Sequence, residues 1–220
     1  MILAVTGLQR EQRLLAGPGV EVVVGAADLD RQVSGKQGVI SIGIAGALAH
    51  GLQPGRWVVA TAVSDRGAVL PTDPEWTDRL AFRLPGAERG LLLGVDAVAA
   101  TAEQKAELHR TSQAIAVDME SHVAARVARH HGLPFVAARV ISDAAHRTLP
   151  PAARVGMRPD GGVDLPAVLR SLLAAPWQLP ALIRTGLEAE TAFRVLRRGS
   201  RLLGPRLGGP DVGKLSSDMV

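Results

Sequence analysis

Three short stretches of the chain place groups that can do chemistry at the ends of apolar runs. Ala116-Val-Asp118-Met-Glu120-Ser121 carries two carboxylates two residues apart, where a strand gives way to a helix. A carboxylate at such a point can accept hydrogen bonds from two adjacent hydroxyls, a common way of holding a ribose, and it can equally cap the helix that follows. Val140-Ile-Ser142-Asp143-Ala-Ala145 delivers a Ser-Asp pair to the end of another apolar run. Partial desolvation there favours the neutral acid and suits a proton donor, while the plain alternative is a helix N-cap. Ile40-Ser-Ile-Gly43-Ile-Ala-Gly46 runs into Gly-x-x-Gly, which frees backbone N–H groups and lets a sugar or an anion come close, or simply turns the strand towards a helix. Neither a dinucleotide fingerprint nor a P-loop occurs.

The elements that must carry these groups follow from the hydrophobic pattern. Residues 2–5, 20–24, 39–44, 57–63, 91–93, 115–117 and 135–141 are Val-, Ile- or Leu-rich with little polar alternation, as in strands covered on both faces. Thr101-Ala-Glu-Gln104 forms a capping box and predicts a helix to about Gln113. A second helix, over residues 119–131, stops at Gly132-Leu-Pro134. Strands alternating with helices predict an α/β fold, with a mixed, mostly parallel central sheet flanked by helices. Residues 1–147 are read as this domain. Residues 148–207 are read as a linker and a C-terminal Leu/Arg helical extension of the same unit, and residues 208–220 as a flexible tail.

Composition excludes several classes. The 220 residues are 47% hydrophobic, enough for one folded domain rather than a disordered chain. The absence of Cys removes disulfides and thiol catalysis, and no His/Asp/Glu grouping has metal-ligand spacing. Aromatic residues are only 3%, too few for nucleic-acid stacking platforms. The net charge of +4 is uneven. Residues 167–206 hold seven Arg against Glu188 and Glu190, so the body is neutral and the C-terminal helices are basic. No basic start precedes the short apolar run at the N-terminus, and no run reaches the roughly 18 residues of a membrane span. A cytoplasmic protein is expected. Its Leu/Arg helices are able to sit on a membrane surface, with Arg towards lipid phosphates and Trp177 at the interface, or to pack on the domain.

The order and spacing of the three motifs resemble the purine nucleoside phosphorylase and nucleosidase superfamily, whose members cleave N-glycosidic bonds. Gly43-Ile-Ala-Gly46, Met119-Glu120 and Ser142-Asp143 match the family's Gly-x-Ala-Gly, Met-Glu and Ser-Asp. The resemblance implies that Asp143 serves the purine N7, that Glu120 grips the ribose hydroxyls and that Met119 packs on the sugar. In Gly7-Leu-Gln-Arg10-Glu11-Gln12, Glu11 is offered as the water-positioning acid, with Gln12 at the family's register. Arg10 or Arg13 is offered as the phosphate ligand a phosphorylase needs. Val98 stands where nucleosidases stack an aromatic residue on the base. The implied set is therefore Asp143, Glu120 and Glu11 as catalytic carboxylates. Gly7, Arg10, Gly43, Ala45, Gly46, Val98, Val117, Met119 and Ser142 line the ligand. No cofactor or metal is expected, phosphate is a possible co-substrate, and a homo-oligomer is implied.

The short front end and the Leu/Arg tail look most like the hopanoid-associated phosphorylases, which implies an adenine nucleoside with a large apolar 5′ group, adenosyl hopane. Asp160-Gly-Gly-Val-Asp-Leu165 carries part of that likeness. The alternatives are a soluble nucleosidase for methylthioadenosine or adenosylhomocysteine, and a non-catalytic nucleoside-binding component of a lipid-synthesis assembly.

Overall fold

The computed structural model describes residues 1–156, 158 and 161–210. Asp160 and residues 211–220 lie outside the described residues. In chain order the elements are β1 (Ile2–Thr6), α1 (Gln9–Leu15), β2 (Val20–Val24), α2 (Leu29–Gln32), β3 (Val39–Ala47), β4 (Trp57–Asp65), β5 (Ala68–Pro71) and α3 (Pro74–Arg83). They continue with β6 (Glu88–Gly94), α4 (Ala102–Ser112), β7 (Ala116–Asp118), α5 (Ser121–His130), β8 (Phe135–Asp143), α6 (Pro151–Val155), α7 (Leu165–Ala174) and α8 (Leu179–Leu203).

The strands form one mixed sheet flanked by helices. Pairs β1–β2, β1–β3, β3–β8, β4–β6 and β6–β7 are parallel, whereas β3–β7, β4–β5 and β4–β8 are antiparallel. Strands β3, β8, β4, β6 and β7 pair in a closed ring, with β1 and β2 extending from β3 and β5 hanging on β4. β3 and β8 run in register from Val39 opposite Phe135 to Ala45 opposite Ile141, and a shift then sets Gly46 against Asp143. That irregularity brings two of the motif residues together.

Side-chain alternation divides the core. Ile2, Ala4, Val136, Ala138 and Val140 face one cluster with Trp57, Trp76, Leu80, Phe193 and Leu196. Leu3, Val5, Phe135, Ala137 and Ile141 face the other, which receives Ala124, Ala125 and Ala128 of α5. Period-2 strands sandwiched between helices give this two-sided burial directly.

The seven expected strands are present: β2 with the expected bounds, β7 shifted by one residue, and the others extended by one to a few residues. The expected helices are α4, whose Thr101–Gln104 capping box forms, and α5, which ends before Gly132 at a positive φ of 63°. Strand β5 was not expected. It is a short hairpin partner reached through Arg66 and Gly67, both with positive φ, the backbone a two-residue hairpin needs. Helix α3 has the start signals of Asp73, which accepts the Trp76 N–H at 2.8 Å, and of Pro74 in its first turn.

The C-terminal helices divide in character. α7 buries none of its residues, and the first half of α8 is largely exposed, whereas the second half buries Ala192, Phe193, Leu196, Gly199 and Leu203. A Cβ at Gly199 would lie 2.3 Å from the Trp57 ring, so this half of α8 lies directly on the sheet. Gln178 ties the hairpin together by accepting from Ala152 N at 2.9 Å and donating to the Ser171 carbonyl at 2.7 Å. Of the segment read as a flexible tail, residues 208–210 are described and the rest lies outside the described residues. Gly208 is buried, its carbonyl accepts from Arg79, and Arg206 donates to Gln37 at 2.7 Å. Among the described residues, no helix is long and apolar enough to cross a membrane.

Candidate active site

Glu11, Asp118 and Glu120 gather around one guanidinium, and Asp143 stands at the end of β8 against Gly46 of β3. Arg139 sits in the middle of β8, buried on a strand otherwise made of Phe, Val, Ala and Ile. Its Nη2 lies 2.5 Å from Asp118 and 3.3 Å from Glu120, and it donates to Ser41 at 2.6 Å. Among the described residues, Nε and Nη1 find no hydrogen-bond partner. Burial works against its charge, but Asp118, Glu120 and Glu11 more than offset that and hold its pKa above the usual value. A buried guanidinium in a sheet is tolerated only with such company.

Glu11 is held by backbone. Oε2 accepts from Gly7 and Leu8, both at 2.9 Å, and Oε1 accepts from Ile44 at 2.7 Å. It closes the start of α1 and also bridges to Ile44 in the Gly43–Gly46 stretch, which is paired strand β3 rather than a turn, and so brings β1 and β3 to one carboxylate. Burial raises its pKa, while Arg139 and the three backbone donors pull the other way. Gln12 donates to the Val22 carbonyl instead, so Glu11 rather than Gln12 occupies the cluster.

Glu120 follows β7 and is nearly buried. Its pKa is pushed up to about 7, chiefly by burial, with Arg139 opposing and the charges of Asp118 and Glu11 adding to the rise. Asp118 does the capping that was the alternative role for this pair. It accepts the Ser121 N–H at 3.2 Å and the Ser121 hydroxyl, while Glu120 makes no capping bond.

The glycines each stand against one of these groups. A Cβ on Gly7 would lie 2.5 Å from Glu120 Oε1. One on Gly43 would lie 2.5 Å from Glu11 Oε1 and 2.6 Å from Arg139 Nη1, and one on Gly46 would lie 3.4 Å from Asp143 Oδ2. At Gly7 and Gly43 the requirement is therefore room for a carboxylate or guanidinium, since neither has positive φ.

Asp143 ends β8 and is buried. Ser142 Oγ lies 2.6 Å from its Oδ1 and 3.2 Å from the Ala45 carbonyl. No helix begins there, so it is not an N-cap. It is not a lone desolvated acid either. Lys105, the one buried residue of α4, forms an ion pair with Oδ2, which corrects the expectation that burial by itself prepares Asp143 as a donor.

Of the remaining expected residues, Val117 is buried beside Gly46, Val98 is half-buried and Met119 is exposed. Arg10 is not brought to the cluster. Its guanidinium binds Glu190 of α8 at 2.6 Å and lies 4.2 Å over the Phe193 ring, because α1 presents it to α8. Arg139, Ser41 and Lys105 were missed. A charged residue inside an apolar strand was the available signal for Arg139, whereas Lys105 on a polar helix gave none.

Comparison with known proteins agrees with this arrangement. The model of the phosphorylase superfamily matches residues 34–174. The fold is similar to that of a 5′-methylthioadenosine/S-adenosylhomocysteine nucleosidase of Helicobacter pylori, with a TM-score of 0.65 at 15% identity over 92% of this chain and 95% of that one. The corresponding S. pneumoniae nucleosidase, solved with a transition-state inhibitor, gives 0.66 at 16% identity over 96% and 99%. Futalosine hydrolase of H. pylori gives 0.61 at 15% over 91% and 96%. No curated protein matches the sequence. With the family model covering more than half of the sequence, and with its motifs assembled at one end of the sheet, the chain belongs to the phosphorylase superfamily.

Proposed function

We propose that this phosphorylase-superfamily enzyme cleaves the N-glycosidic bond of a purine nucleoside, releasing adenine from a substrate with a large apolar 5′ group, adenosyl hopane. The observation that carries the reading is the meeting of Glu11 and Glu120 with Arg139, each carboxylate seated in the space a glycine leaves, with Asp143 set against Gly46 of the same strand β3. Asp143 serves the purine N7 as the C1′–N9 bond breaks. Glu120 accepts from the 2′- and 3′-hydroxyls, and its negative charge grows in value as the sugar becomes oxocarbenium-like. Glu11 orients the nucleophile at the anomeric carbon. Leaving-group activation of this kind contributes about 10²–10⁴ in rate.

Water is the nucleophile this reading favours. Three carboxylates surround a single guanidinium, a poor place for a phosphate dianion, and Arg10 is engaged elsewhere. The apolar 5′ group is supported by the exposed Leu165, Leu169, Leu173, Trp177 and Ile183 of the α7–α8 hairpin. The chain leading into α7 packs at the site, since Gly161 accepts from Gln9 at 3.2 Å and abuts Gly7. A lipid surface met by this hairpin would present such a substrate beside the cluster. The nucleosidases of S. pneumoniae and Neisseria meningitidis were solved with methylthio-immucillin-type inhibitors, which places 5′-thio adenine nucleoside analogues in related folds.

The test is adenine release from adenosyl hopane and from methylthioadenosine, each with and without phosphate. Release from the lipid nucleoside without phosphate is expected. Efficient cleavage of the small substrate with none of the lipid one would overturn the apolar 5′ assignment, and dependence on phosphate would overturn water.

A further inference from the structure

The pairing at Asp143 carries an inference that rests on the proposed cleavage and deepens it. Lys105 is fully buried on a helix with no other buried residue. Its three N–H donors are all used: one to Asp143 Oδ2, one to the Ala144 carbonyl at 3.1 Å and one to the Arg147 carbonyl at 3.0 Å. The other oxygen of Asp143 faces the Ser142 hydroxyl. Asp143 is thus held between two donors, as an acceptor. Burying an ammonium costs several kcal/mol unless it is paired, and a cost of this size at a site residue calls for a role.

We propose that Lys105 is the positioning residue of leaving-group activation: it fixes the aim of Asp143 and supplies the proton that Asp143 passes to the purine. As the C1′–N9 bond breaks, its electron pair moves into the base. One proton leaves Nζ for the Asp143 carboxylate, and the carboxyl delivers a proton to N7. Lysine is left as a neutral amine, Asp143 as a carboxylate and the base as its N7–H form, while the positive charge develops on the sugar. The proton released when water adds to C1′ goes to solvent or to Glu11, and the lysine is reprotonated from solvent before the next turnover.

The groups around Nζ fit this role. Asp143 comes from β8, and the Ala144 and Arg147 carbonyls come from the loop after it. The Arg147 guanidinium points instead to Glu188 of α8, at 3.7 Å. His146 in the same loop is exposed, and His109, one turn along α4, contacts the Ala114 carbonyl at 2.7 Å. No second carboxylate competes for the ammonium among the described contacts.

The experiment is the pH profile of adenine release from methylthioadenosine by the full chain and by Lys105→Met and Lys105→Arg, with thermal unfolding of each. Arginine keeps the charge but does not give up a proton, so Lys105→Arg is expected to fold and to lose about 100-fold or more at every pH. Lys105→Met leaves a lone desolvated carboxyl, which takes its proton from solvent and holds it at acid pH. Relative to the wild-type protein at the same pH, that variant is expected to keep activity on the acid side and to lose it progressively as pH rises. A Lys105→Met profile that superimposes on the wild type after scaling would overturn the proposal, as would full activity of Lys105→Arg. Where Lys105→Met fails to fold, the arginine variant decides. A wild-type protein that releases no adenine from either methylthioadenosine or adenosyl hopane would instead bring down the cleavage reading itself.

Discussion

Gly7 stands against Glu120 so closely that a Cβ on the glycine would lie 2.5 Å from Oε1 of the carboxylate. The clash is with the far end of a flexible side chain, so the fold can yield by moving the carboxylate. Gly7→Ala is therefore expected to change stability by less than about 1 kcal/mol while displacing the group proposed to hold the ribose. Steady-state kinetics would show a loss of about 10²-fold in kcat/KM, of the size a misplaced positioning group causes. Unchanged kinetics would mean that Glu120 can be moved without consequence.

Glu120 also sets a pH dependence. Its carboxyl is raised from 4.5 to about 7 in the folded protein. Between those values the folded chain holds a proton that the unfolded chain has lost. Stability from this group is therefore present at low pH and falls as pH rises towards about 7, by up to about 3 kcal/mol. Glu120→Gln removes the effect, so it is expected to raise the unfolding temperature at pH 8 more than at pH 4.5, while losing most activity. Thermal unfolding at the two pH values checks it. In the wild-type protein, kcat/KM should rise through about pH 7 as the carboxylate forms.

Arg139 is the counter-charge of the cluster. Arg139→Met leaves Asp118 and Glu120 buried without it, and breaking a buried pair in this way costs about 3–5 kcal/mol. Denaturant unfolding should show that loss. A change below 1 kcal/mol would mean that the carboxylates are neutral in the folded state.

The apolar face of the hairpin gives a prediction that does not touch the site. Replacing Leu169, Leu173 and Trp177 together by Glu removes exposed apolar area without disturbing the core, because none of the three is buried. Co-sedimentation with liposomes rich in anionic lipid is expected to fall several-fold, with methylthioadenosine cleavage kept. Equal binding would remove the membrane role. Truncation before α8 is unsuitable, since Phe193, Leu196 and Leu203 belong to the core.

Much of this arrangement was legible in the sequence, for physical reasons. Strands covered on both faces leave long Val/Ile/Ala runs, which marked seven of the eight strands, and Thr101 with Gln104 marked the start of α4. The three motifs lay towards the C-terminal ends of β3, β7 and β8, the end of the strands where α/β folds gather their chemistry. What was hidden depends on side chains crossing between elements. Arg10 belongs to α8 rather than the site because a partner 180 residues away captures it. Lys105 reaches Asp143 across 38 residues, and no local pattern records that. Strand β5 was too short for alternation to declare itself.

The central claim is that this site breaks the bond between adenine and ribose. The direct measurement is adenine release, followed by chromatography, from methylthioadenosine and adenosyl hopane by the wild-type protein and by Asp143→Asn. The account predicts release by the wild-type protein and a loss of at least about 100-fold in the folded variant. No adenine from either nucleoside, or an Asp143→Asn protein as active as wild type, would contradict it.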